Sequence, residues 1–116
     1  MYGNKISTIF DESIDVILKS KSLEKSIQNV IDKIISCFEN GNKIIIFGNG
    51  GSAADSQHFA AEFIGRFLKE RNSLPAISLT TDSSILTALG NDYSFETIFS
   101  RQCESIVKKN DIVFGI

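Results

Sequence analysis

Ile44-Ile45-Ile46-Phe47-Gly48-Asn49-Gly50-Gly51-Ser52 runs directly into the segment 53–68, and the reading of this stretch decides the fold. A short, wholly apolar run that breaks into glycines and restarts with helical spacing predicts strand, tight loop, helix. The loop is suited to a ligand. Glycines let backbone amides approach a guest closely, and the helix start behind them offers unpaired N–H groups and the positive end of a dipole, so the natural guest is an anion. On the helix sit His58 and Glu62.

Before this stretch, Ile6, Ile9, Phe10, Ile14, Ile17 and Leu18 have the spacing of an amphipathic helix. Ser22 is placed to cap a second helix, whose apolar residues run from Leu23 to Phe38 and which Gly41 can close in a left-handed turn. Its wide apolar arc suits an intramolecular pack or a subunit interface equally well. After the central stretch, Leu74 to Leu79 predicts a second strand with Pro75 near its start, where a missing donor is tolerated. Asp82 can cap a brief helix, 83–89, and Gly90-Asn91-Asp92 reads as a loop. Ser94 is placed to cap a helix carrying Phe95, Ile98, Phe99, Cys103, Ile106 and Val107, and a third apolar run, 112–116, ends the sequence. Strands alternating with helices predict an α/β fold, a three-layer doubly wound parallel sheet preceded by two amino-terminal helices. A buried strand as the last element reads as a truncated domain.

A length of 116 residues suits one domain with one core. Lys and Arg number 12 against 14 acids, for a net charge of −2, and the basic residues are scattered. That pattern argues against nucleic-acid binding. Cys37 and Cys103 lie far apart with no metal-finger spacing, which favours packing roles in a reduced, cytoplasmic setting. An acidic amino terminus and the lack of any run near 18 apolar residues lead us to expect neither signal core nor membrane span.

Gly48 to Ala53 satisfies a loose G-x-G-x-x-G/A, the dinucleotide fingerprint, which alone is a weak signal. The acid that should follow about 20 residues on is missing, since Asp82 lies about 30 on. Positions 55, 58, 62 and 66 share one helical sector, so His58 and Glu62 project together. Such a pair can share a divalent metal or act as acid and base, or be an ordinary surface pair. Asn91 and Asp92 could reach the same cleft, since loops after parallel strands converge at the carboxyl edge. Arg66 and Arg101 could each hold an anion or a solvated salt bridge.

Together, Gly48 to Asp55, Gln57 to Glu62, Gly65-Arg66-Phe67, Leu74 to Ile77, Leu79 to Asp82, Gly90 to Asp92 and Phe99 to Gln102 resemble the phosphoheptose isomerases of the sugar isomerase (SIS) domain superfamily. The resemblance covers the whole chain. It implies that residues 1–116 form the amino-terminal part of a single SIS domain, with a leading helical segment at 1–40 and the start of the parallel sheet at 43–116. It further implies interconversion of sedoheptulose 7-phosphate and D-glycero-D-manno-heptose 7-phosphate through an enediol, the first step toward nucleotide-activated heptose for lipopolysaccharide or capsule. Asn49, Gly50, Gly51 and Ser52 resemble the substrate loop, and Asn91 and Asp92 a second substrate contact. His58 and Glu62 look like ligands of one Zn²⁺, with Glu62 also the catalytic carboxylate and a substrate contact. A homotetramer joined partly by the leading helices is implied. A phosphate-gripping loop and the remaining zinc ligands, a glutamine and a histidine, are expected from sequence beyond Ile116, so the fragment alone should be inactive. The alternative is a non-catalytic SIS protein that binds the replication initiator DnaA, which lacks the acid at position 62. A nicotinamide dinucleotide-binding domain rests on the loose fingerprint only.

Overall fold

The computed structural model describes residues 3–116, so Met1 and Tyr2, the first residues of the expected leading segment, lie outside the described residues. The chain divides into an amino-terminal unit ending at Lys33 and a larger unit, Ile34–Ile116. In the first, α1 (Gly3–Ser20) and a 3-10 turn (Lys21–Leu23) lead into α2 (Glu24–Glu39). Ser22 does not cap α2: its hydroxyl donates to Lys19 O at 2.8 Å, because the chain continues helically through the serines. Along α1, Ile9, Phe10, Ile14 and Ile17 are exposed, Phe10 by 67%.

The larger unit holds a three-stranded parallel sheet in the order β2-β1-β3, with β1 (Ile44–Phe47) central, β2 (Ala76–Ser78) on one side and β3 (Ile112–Gly115) on the other. Ile44 pairs with both Ala76 and Ile112. Ile44, Ile45 and Ile46 are 0% exposed, as a continuous apolar strand covered on both faces should be. Side chains alternate across the sheet. Ile44 and Ile46 join Ala60 and Ala76 in a core against which Ile34 and Phe38 of α2, and Phe59 and Phe63 of α3 (Gly51–Ile64), are packed. On the opposite face Phe47 stacks on Phe99 at 4.7 Å between ring centres. There α4 (Ser83–Asp92), a 3-10 turn (Phe95–Thr97) and α5 (Ser100–Ile106) form the second crossover. Buried Gln102 ties it down, donating to Leu79 O and Ile98 O at 3.2 and 2.8 Å.

Several element boundaries differ from expectation. α3 ends at Ile64 rather than Leu68, because Gly65 leaves the helical region and Leu68 takes a positive φ of 60°. Gly90-Asn91-Asp92 is the last turn of α4 rather than a loop: Tyr93 N still bonds Leu89 O at 3.0 Å, so the helical ladder overrides the local turn preference. Asp82 does cap α4, accepting from Ile85 N at 2.9 Å. Ser94 does not cap with its side chain, and the single helix expected behind it is split into the 3-10 turn and α5.

Asp111 locks the amino edge of the sheet. Its side chain, 2% exposed, accepts from Lys43 Nζ at 2.5 Å and Lys43 N at 3.1 Å, from Asn42 Nδ2 at 3.2 Å and from Lys108 N at 2.7 Å. Burial alone would raise this carboxyl, but the bonds from Lys43, Lys108 and Asn42 outweigh it and hold the group below the usual carboxylate range. A depressed folded-state value means the stabilisation is present above the unfolded pKa of about 3.9 and fades as pH falls through and below it. Asp111→Asn is expected to cost about 3 kcal/mol near neutrality, with the difference from the parent shrinking below about pH 4, as read by urea unfolding across pH. A Cβ on Gly48 would lie 2.6 Å from Ser52 Cβ and 2.9 Å from Ser52 backbone atoms. Gly48→Ala is expected to lower stability by about 1–3 kcal/mol, read from the same unfolding midpoint.

Candidate active site

In the order β2-β1-β3 the chain adds β2 on one side of β1 and β3 on the other, and this switch in strand order puts a crevice at the carboxyl end of β1 beside β3, where ligands bind in open parallel sheets. The glycine loop occupies that end. Gly48 is buried because the first turn of α3 comes within contact of it, so its lack of a side chain sets how closely helix approaches strand. Gly50 takes a φ of 56°, a conformation that favours glycine. Asn49, Gly50 and Gly51 are exposed and Ser52 is half-buried. No side chain caps α3. Asn49 O and Gly50 O accept from Ser52 N and Ala53 N at 2.9 and 3.1 Å. The loop is thus closed by backbone bonds, while the positive end of the helix dipole stays open to an anion. Thr80 at the exit of β2 joins the same edge, donating to Ala53 O at 3.3 Å and bonding Ser78 Oγ at 2.8 Å.

Further along α3, His58 Nε2 and Glu62 Oε1 stand 3.1 Å apart. The histidine side chain is 79% exposed and that of Glu62 only 30%, so the carboxylate is the sheltered partner. Both line a cavity of about 390 Å³ with Phe59, Phe63, Phe67, Arg71 and Leu74, an apolar wall that holds a carboxylate, an imidazole and a guanidinium. The pair does not adjoin the glycine loop. At 1.5 Å per residue His58 and Glu62 lie about 10 and 16 Å along α3 from Gly51, so the glycine loop and the histidine–carboxylate pair stand at separate points of the same helix. An imidazole and a carboxylate are suitable zinc donors, yet a zinc site needs four, and among the described residues no group of three or more His, Cys, Asp or Glu comes together. The pair fits as half of a donor set.

Asn91 and Asp92 are exposed at the end of α4, with Asn91 Nδ2 donating to Asp92 Oδ1 at 2.9 Å. Among the described residues neither side chain hydrogen-bonds to the glycine loop. Asp82 is used as a helix cap, which removes it as a ribose ligand and with it the dinucleotide reading. Arg66 and Arg101 form exposed pairs with Glu70 and Glu104, and Arg101 also lies over the Tyr93 ring at 4.8 Å. Because α3 has ended, Arg66 does not continue the sector of His58 and Glu62. The arginine that the spacing passed over is Arg71, which lines the cavity itself. Its only signal was a basic residue shortly after a helix end, where cations favour the last carbonyls.

Comparison with known proteins agrees with this geometry. The SIS domain profile matches residues 9–116. The chain is 56% identical over 113 residues to phosphoheptose isomerase of Aquifex aeolicus, covering 97% of this chain and 59% of that protein. It is 50% identical over 111 residues to phosphoheptose isomerase of Helicobacter hepaticus, covering 96% and 57%. Two solved structures superpose closely: phosphoheptose isomerase GmhA from Neisseria gonorrhoeae, with a TM-score of 0.89, 38% identity and coverage of 99% of this chain and 60% of that one, and a phosphoheptose isomerase from Francisella tularensis, with 0.93, 35%, 99% and 61%. The chain therefore spans less than two thirds of the length of these relatives. With its parallel sheet, its glycine loop at the switch point and a profile match over nearly its whole length, the chain belongs to the SIS domain family.

Proposed function

We propose that this chain supplies the anion loop and the catalytic carboxylate of a phosphoheptose isomerase, which interconverts sedoheptulose 7-phosphate and D-glycero-D-manno-heptose 7-phosphate. The observation that carries the reading is Glu62, sheltered in an apolar cavity at 3.1 Å from His58, in a chain 56% identical to an enzyme of that name. In the ketose-to-aldose direction Glu62 takes a proton from C1, and the electron pair forms the C1–C2 double bond of an enediol as O2 gains a proton. Return of a proton to C2, with loss of the O1 proton, leaves the aldehyde at C1. Oε1 faces His58, so Oε2 is the oxygen left for this transfer. Phe59, Phe63, Phe67 and Leu74 give the carboxylate apolar neighbours on the cavity wall.

The exposed residues Asn49, Gly50 and Gly51, with Ser52, offer polar contacts to the sugar phosphate substrate, and Asn91 and Asp92 offer polar groups to its hydroxyls. His58 and Glu62 would hold Zn²⁺ together with donors from outside this chain. Bound there, the ion would polarise the oxygen next to the transferred proton. The exposed apolar stripe of α1 supports assembly into a homotetramer, and the free Cys37 and Cys103 support a reduced, cytoplasmic place. Among the described residues no helix is long and apolar enough to cross a membrane. Retention of a carboxylate at position 62 favours catalysis over the DnaA-binding alternative.

Glu62→Gln keeps the shape and removes the base. In the complete gene product, supplied with zinc, it is expected to lower kcat on sedoheptulose 7-phosphate at least about a hundredfold. An inactive parent would overturn the isomerase reading. Phe10→Asp on α1 is expected to shift the assembly toward smaller species in sedimentation velocity, since burying that charge in an apolar interface is unfavourable.

A further inference from the structure

Arg71 lies beyond the end of α3, half-buried, in the wall of the cavity that holds His58 and Glu62. Its guanidinium donates to four main-chain carbonyls. Nη2 reaches Glu62 O at 2.6 Å, and Nη1 reaches Phe63 O at 2.8 Å, Asn72 O at 2.9 Å and Gly65 O at 3.3 Å. The last carbonyls of a helix lack intrahelical partners. Here Ala61 O is satisfied by Gly65 N at 2.8 Å and Phe63 O also receives Leu74 N at 3.0 Å, whereas Glu62 O takes its hydrogen bond from Arg71. The residue that carries the carboxylate is therefore held, through its own backbone, by a side chain nine positions on.

Among the described residues Arg71 forms no ion pair. Its planar fork of donors is what the contacts use, and the single ammonium of a lysine cannot reproduce them. The same fork anchors Asn72, and so the turn between Phe67 and Leu74 that forms the far wall of the cavity. Misplacing a catalytic group by about 1 Å can cost a hundredfold in rate.

We propose, resting on the isomerase reading, that Arg71 is a positioning residue for the reaction: it fixes the backbone of Glu62 and the facing wall so that the carboxylate meets its proton in register. It acts through Glu62, whose carbonyl its guanidinium holds. A residue in this role affects the chemical step more than substrate binding.

The test uses the complete gene product with zinc, comparing parent, Arg71→Ala and Arg71→Lys for kcat and KM on sedoheptulose 7-phosphate, each rate divided by the folded fraction from near-UV circular dichroism. For Arg71→Ala, kcat per folded molecule is expected to fall about a hundredfold while KM stays within about threefold. Arg71→Lys, which keeps charge and stem and is the milder variant if alanine prevents folding, is expected to remain at least tenfold below the parent, and millimolar guanidinium is expected to recover part of the alanine variant's rate. If activity falls only in proportion to folded protein, or if KM rises with kcat unchanged, the proposal is overturned and Arg71 is a helix cap or a binding residue. An inactive parent overturns the isomerase reading and this proposal with it, whereas an active parent with unimpaired variants overturns this proposal alone.

Discussion

The complete burial of β1 is the constraint on which the rest of the structure depends. Its three isoleucines are out of solvent on both faces, so every backbone donor and acceptor of the strand needs a partner on one edge or the other. β2 and β3 meet that need from opposite sides, in parallel, and parallel pairing requires each return to pass over a face of the sheet. The helices that cover β1 are thus a consequence of the pairing that satisfies it. With both faces covered and both edges paired, the ends of β1 are the places left for function. Asp111 closes the amino end with an ion pair and backbone bonds, which leaves the carboxyl end, where the glycine loop lies, as the place for a ligand.

α3 carries both parts of the candidate site, and its two termini do so by different means. At its start the helix has a turn that no side chain caps, a feature that depends on backbone geometry and on the close approach permitted by Gly48. Near its end it presents a histidine and a sheltered carboxylate, a site that depends on side chains and on the aromatic wall around them. Phe59 and Phe63 serve both the core and the cavity, so packing the sheet and shaping the cavity are one requirement. The aromatic contacts among Phe38, Phe59, Phe63 and Phe114 stiffen this side, with ring centres 5.0 to 5.5 Å apart. A carboxylate mounted on such a packed helix is less free to wander than one on a loop.

Much of this was legible because it depends on local rules. The apolar run at β1, the glycines behind it and the i, i+4 relation of His58 and Glu62 need only backbone periodicity and glycine stereochemistry to be read. The errors fall where the backbone ladder of an element, or its break, outweighs residue composition. Gly90-Asn91-Asp92 has loop composition and is nonetheless helical, since its backbone stays in the ladder begun at the Asp82 cap. The segment after Gly65 has apolar residues at helical spacing and is nonetheless irregular.

By itself the sequence determined the α/β class, the central strand, the loop that follows it and the pairing of His58 with Glu62, because each depends on residues within a few positions of one another. The tertiary structure alone decided the strand order, the cavity that gathers His58 and Glu62 with Arg71, and the bonding of Asp111, Gln102 and Arg71. Those three side chains bond to carbonyls or amides that are remote in sequence or belong to another element, and no periodicity encodes which backbone group a folded chain will leave without a partner.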